Sequence, residues 1–265
     1  MTRAARRRPT SGAAPSLPTY VPSRSRSSRR GAAAAAALAS CLAAALAVGA
    51  RPVAAQVGHL PERSPFEDLE YRQSVTVHGG WLQAGGGRAG VAPRGGALGG
   101  LQYDLLIGGP ASFTVRLREV ASERTVIDPA RDAGDREIGT EQRPLTLLDV
   151  GLSIALTGQK SYRRLVPLVH AGAGIASNFQ GADPGGFRFG TRFALAYGAG
   201  VRWVPPGRRL AYRADLGWHL YQVRFPGSYF QPGLDGTQVF PAGQSNSSWQ
   251  NNMAITVGAS YQFRR

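Results

Sequence analysis

The chain has 265 residues, 35 of them glycine, and a formal net charge of +15. Nine arginines (Arg3, Arg6, Arg7, Arg8, Arg24, Arg26, Arg29, Arg30 and Arg51) precede Gln56 with no acidic residue among them. Removing these from the total leaves +6, so the basicity belongs partly to a leader and implies no nucleic-acid partner. One cysteine, Cys41, excludes both an internal disulfide framework and a cysteine-built zinc site.

In chain order, an Arg-, Ser- and Pro-rich stretch is followed by the Ala/Leu-rich run Gly31 to Ala50. Small residues Val53-Ala54-Ala55 then precede Gln56. A basic region, an apolar region and a small-residue cleavage site predict a signal peptide over 1–55 with a long basic start, hence export through the periplasm. Two rivals remain: a retained anchor, against which alanine is weakly hydrophobic, and lipidation at Cys41, which apolar residues rather than a polar spacer follow. Residues 56–73, with Phe66, Glu67, Asp68 and Leu69, form an N-terminal periplasmic segment, either a short helix or a tether.

From Ser74 onward the dominant period is two, the signature of strands with two different faces. Eight runs show it: Val75 to Trp81, Leu101 to Ile107, Phe113 to Leu117, Leu148 to Leu156, Leu165 to Ile175, Phe187 to Trp203, Leu210 to Leu220, and Ile255 to Phe263. In the sixth, Phe187, Phe189, Phe193, Leu195, Tyr197, Val201 and Trp203 share one parity, while Arg188, Arg192 and Arg202 share the other. The predicted fold is all-β: an eight-stranded antiparallel up-and-down transmembrane β-barrel over 74–265, in the bacterial outer membrane. A soluble barrel or sandwich is the rival reading.

The two faces decide between them. Trp81, Trp203, Tyr261 and Phe263 stand near strand ends on the apolar side, where an aromatic girdle meets the membrane interfaces. Asp104, Arg116, Arg118, Asp149, His170, Arg188, Arg192, Arg202, Arg213, Asp215 and His219 fall on the other side among glycines and alanines, as a narrow lumen requires. Paired charges would plug such a lumen; the alternative is a narrow, weakly anion-selective channel. On this reading Arg192→Leu costs more stability than Arg136→Leu, because only Arg192 serves lumen carboxylates. Connections are short on one side (108–111, 157–164, 204–209) and longer on the other, as at 124–143 and 227–250.

The closing run Ile255-Thr-Val-Gly-Ala-Ser-Tyr-Gln-Phe263, followed by Arg264 and Arg265, resembles the last strand of bacterial outer-membrane proteins. Leu165-Val-Pro-Leu-Val-His-Ala-Gly-Ala-Gly174 and Tyr197-Gly-Ala-Gly-Val-Arg-Trp203 are similar to strands of the OmpA-like and OmpX-like small barrel domains. The resemblance implies that Tyr261 and Phe263 serve as an assembly signal for the barrel-assembly machinery. It implies no activity, and no peptidoglycan-binding domain is expected after the last strand.

Other constellations point to weaker chemistry. His78, His170 and His219 with Ser153, Ser177 or Ser260 suggest a lipid-modifying hydrolase, but no Gly-x-Ser-x-Gly elbow is present. Gly85-Gly86-Gly87 lacks the Gly-Lys-Ser/Thr of a phosphate loop. Asp128, Asp132, Asp135, Glu137 and Glu141 lack calcium-loop spacing. The expectation is therefore no enzyme, no cofactor and no metal. The predicted protein is structural or interacting: a monomer in outer-membrane lipid that displays loops to an unidentified extracellular ligand. Phe225, Tyr229, Phe230, Phe240 and Trp249 make the last loop its expected contact surface.

Overall fold

The computed structural model describes residues 64–179 and 181–264. The predicted signal peptide, with Cys41 and its rival roles, lies outside the described residues. Twelve strands occur in the described part: β1 (Phe66–Asp68), β2 (Tyr71–Gly85), β3 (Arg94–Gly108), β4 (Ala111–Val120), β5 (Glu123–Ile127), β6 (Glu137–Gln142), β7 (Leu145–Ala155), β8 (Lys160–Tyr162), β9 (Leu165–Asn178), β10 (Gly190–Trp203), β11 (Leu210–Arg224) and β12 (Ser247–Arg264).

Eight of these close into a barrel in the order β2-β3-β4-β7-β9-β10-β11-β12, with β12 returning onto β2. Every pairing is antiparallel between chain neighbours in the wall. Closure leaves no unpaired edge, which is what a strand structure needs to cross a lipid bilayer. The alternation does the sorting. Val77, Leu101, Val150 and Val257 are about half exposed on the outside, whereas Thr76, Gln102, Asp149 and Ser260 are buried inside. A folded chain that exposes its aliphatic residues and buries its charges is built for a hydrocarbon surround.

One barrel end carries the tight turn Gly109-Pro110, the connection through β8, and the turn 204–209; the described chain also enters and leaves there. The other end carries longer connections. That asymmetry is the one by which outer-membrane barrels present short turns to the periplasm and long loops to the exterior. Trp81 pairs with Ile255 and Tyr261 with Val75, so the two aromatics are separated by about 20 Å along the wall at roughly 3.3 Å per residue. Trp203 stacks on Tyr212 across β10 and β11 with ring centroids 5.6 Å apart.

Three elements differ from the sequence expectation. In the described part of the N-terminal segment, 64–73, Phe66–Asp68 is a strand that pairs with Lys160–Tyr162 beneath the short-turn end, and β2 already begins at Tyr71. The acidic stretch 124–143 is not a loose loop, because β5 and β6 form a hairpin. The sixth run stops at Gly190, whose φ of +65° breaks the alternation. Phe187 and Phe189 consequently fold inward and are buried, and Arg188 is exposed in the preceding connection rather than facing the lumen.

Candidate functional site

The barrel interior has two layers. The lower one, toward the short turns, is polar. Asp104 on β3 accepts hydrogen bonds from Thr114 Oγ1 at 2.7 Å, Gln102 Nε2 at 2.8 Å and Ser74 Oγ at 3.3 Å. It also pairs with Arg202 at 3.2 Å and Arg213 at 3.4 Å. Arg202 in turn donates to the hydroxyl of Tyr71 and lies over its ring. Asp149 on β7 takes Arg116 at 2.7 Å and Arg118 at 3.6 Å. Asp215 on β11 takes Arg213 through two contacts at 2.6 and 2.8 Å and has His170 Nδ1 at 3.9 Å. Arg118 donates to His219 Nε2 at 2.7 Å; because arginine only donates, this ring carries its proton on Nδ1.

Four arginines thus meet three carboxylates in a space that desolvates all of them. Such groups persist only when paired, since an isolated buried charge costs several kcal/mol. Two glycines make the packing possible. A Cβ on Gly200 would lie 2.2 Å from the Asp215 carboxylate, and one on Gly198 would lie 2.8 Å from His170 Nε2. The remaining cavity among Arg116, Arg118, His170, Asp215, His219 and Thr256 is about 10 Å³. That is at the lower limit for one water molecule.

Arg192 does not join this layer. It is half-buried near the loop end of β10, and among the described residues no carboxylate lies within ion-pair distance of it. The other predicted lumen residues, Arg188 apart, come together as described. Sequence reasoning missed Ser74, Gln102 and Thr114 as partners of Asp104, and Tyr71 as a partner of Arg202. The first three share the inward parity, so their signal was present; Tyr71 lay before the assigned start of the barrel.

The upper layer is apolar. Leu82, Leu98, Val120, Leu147, Ala194, Tyr221 and Val223 point inward above the arginines, and Phe187, Phe189, Phe225, Tyr229 and Phe240 fold down onto them. Phe225 and Phe240 meet edge to face at 4.8 Å, and Phe189 and Tyr221 at 5.5 Å. The aromatics assigned to an outward contact surface therefore mostly close the mouth of the barrel. Trp249 alone among those five is strongly exposed.

Ion pairs brace the loops above this layer. Arg124 on β5, 2% exposed, reaches Asp183 at 3.0 Å in the β9–β10 connection, and its guanidinium lies 5.2 Å over the Phe187 ring. Burial pulls the Arg124 pKa down and pushes the Tyr229 phenol up. The hydrogen bond from Arg143 holds the Glu141 carboxyl below its ordinary value. Arg136, between β5 and β6, donates to Thr237 O at 2.7 Å and Oγ1 at 2.6 Å, and pairs with Asp235 at 3.3 Å in the β11–β12 loop. Asp235 also accepts from Thr237 Oγ1 and from the amides of Thr237 and Ala133, which together lower its pKa to about 2. Nothing in the sequence pointed to the contacts of Arg136 and Ala133 with Asp235 and Thr237, which join residues about a hundred positions apart.

Among the described residues no serine hydroxyl is hydrogen-bonded to a histidine: Ser260 bonds Thr76 and Ser177 bonds Thr191. No group of three His, Cys, Asp or Glu residues there is arranged to hold a metal ion.

A closed antiparallel wall, an apolar exterior and a charge-paired interior define a transmembrane β-barrel of the bacterial outer-membrane type. No protein-family model matches the chain, and no curated protein matches it. Among solved structures it is similar to the outer-membrane protein OprG from Pseudomonas aeruginosa, at 9% identity over 74% of this chain and 99% of that one, TM-score 0.45. Neisserial surface protein A shares 16% identity over 76% of this chain and 98% of its own, TM-score 0.41. Ail, the attachment invasion locus protein of Yersinia pestis, shares 13% over 74% and 100%, TM-score 0.36. The barrel assignment itself rests on the strand pairings of this chain.

Proposed function

We propose that the protein is a closed outer-membrane barrel with a structural or interaction role, which holds a braced set of loops at the cell exterior. The observation that carries this reading is the sealing of the lumen by two successive layers, one of ion pairs and one of aromatics. A pore needs an open path through the lumen, whereas loops mounted on a rigid wall are where binding usually resides. The display surface is the β5–β6 hairpin with the outer part of the 225–246 loop, where Asp132, Asp135, Glu137 and Leu234 are exposed. The protein acts as a monomer in outer-membrane lipid, and the barrel-assembly machinery inserts it by reading the closing strand. Tyr261 and Phe263, whose rings meet at 5.2 Å on the outer wall, are the residues it would read.

The test takes the chain refolded into detergent micelles. The expected result is a gel mobility that changes on boiling, together with silence in planar-bilayer conductance. Steady, anion-favouring conductance would replace the display role by a channel.

A further inference from the structure

The turn between β8 and β9 is made of Arg163 and Arg164, with Tyr162 paired directly to Leu165. Both arginines have left-handed φ, +47° and +69°. A two-residue turn of this hand needs positive φ at both positions, and Asn-Gly or Asp-Gly supplies it with least strain. Arginine brings a Cβ that crowds the neighbouring carbonyl there. Among the described residues only Ala89 shares this conformation without being glycine. Strained backbone of this kind persists where the side chains are wanted.

What surrounds the two guanidinium groups indicates the use. Arg163 lies 5.6 Å over the ring of Tyr162, which packs against Phe66 at 5.3 Å. The two rings, with Leu156, Leu165, Pro167 and Val201, line an open apolar groove of about 570 Å³ on the outer wall. The groove therefore runs along the lipid-facing surface at the short-turn end, with the arginine turn at its rim. Arg164 Nε stands 3.7 Å from Glu67 Oε1 with both side chains about half exposed, too loose to hold the guanidinium. Arg163 has no carboxylate within ion-pair distance among the described residues.

We infer that this turn and groove form a binding site for an anionic phospholipid of the periplasmic leaflet, its phosphate on Arg163 and Arg164 and one acyl chain in the groove. The site rests on the membrane placement proposed above. Charge complementarity selects the occupant: two cations at the rim suit a phosphodiester, and the apolar trough below suits a hydrocarbon chain.

The test uses the full chain with Trp81, Trp218 and Trp249 replaced by phenylalanine. Trp203, which pairs with Leu165 beside the groove, then reports alone. The protein is placed in phosphatidylcholine nanodiscs carrying a minor fraction of brominated phosphatidylglycerol or, separately, of brominated phosphatidylcholine. Stronger quenching by the anionic lipid is expected, toward roughly fivefold enrichment per cation. The preference should vanish in Arg163→Asn/Arg164→Gly, a change that relaxes the turn and keeps the gel mobility shift. Equal quenching by the two lipids, or a preference that survives this substitution, overturns the site. Absence of quenching by either lipid overturns the membrane placement beneath it.

Discussion

The guanidinium of Arg136 serves acceptors on two segments at once, the carbonyl of Arg131 and the Thr237–Asp235 pair. Leucine at 136 would leave those acceptors without their cation at a site only 9% exposed. Hydrogen bonds to charged groups contribute about 1.5–3 kcal/mol each, so a loss of about 2–3 kcal/mol is expected in urea unfolding from micelles. Arg192→Leu should cost less than about 1 kcal/mol, since Arg192 is half-buried and, among the described residues, the charge acting on it is the like one of Arg224. Equal midpoint shifts would mean that the loop bridge contributes nothing. The opposite order was expected from the sequence for a physical reason: parity places Arg192 inside but says nothing of height along the barrel, and 136 lay in a stretch without periodicity. At Asp104, where parity and height coincide with a ring of inward polar residues, the alternation alone led to the buried network.

At the scale of elements, Asp235 ties the β11–β12 loop to the β5–β6 hairpin. Its carboxyl is held at about 2, first by Thr237 Oγ1 and then by the amides of Ala133 and Thr237, against an ordinary value of 3.8. A depressed acid stabilises the folded loops fully above its unfolded value, and that contribution is lost as pH falls from about 4 through about 2. The amide proton shifts of Ala133 and Thr237 should therefore titrate together with a midpoint near 2, and Asp235→Asn should abolish the titration. A midpoint near 4 would show that the carboxylate is free and the bridge absent. Strands were legible in a way these loops were not. Period two is a local property, so all eight wall strands announced themselves. The error at Phe187 and Phe189 came from Gly190, whose positive φ lets the aromatics keep their spacing while crossing from one face to the other.

Two layers fill the lumen in series, and the inner faces of β3, β4 and β11 record the change between them. Along β11 the inward residues run Arg213, Asp215, Gly217, His219, then Tyr221 and Val223. Along β4 they run Arg116, Arg118, then Val120; along β3, from the short-turn end, Asp104, Gln102, Gly100, then Leu98. That switch from polar to apolar was the available signal that Phe225, Tyr229 and Phe240 turn inward, for an apolar mouth needs an apolar cover. Two layers in series have a functional consequence. Replacing residues 227–244 by a short Gly-Ser linker removes Tyr229 and Phe240 and opens the upper layer. The arginine–carboxylate layer below is untouched, and its cavity of about 10 Å³ admits no hydrated ion. The shortened protein should keep its gel mobility shift and remain silent in planar bilayers. Conductance would appear only when the lower layer is also breached, as by adding Arg116→Ala and Arg213→Ala. A steady current from the loop-shortened protein alone would place the seal in the aromatics and leave the ion-pair layer as a lining that water and ions can pass.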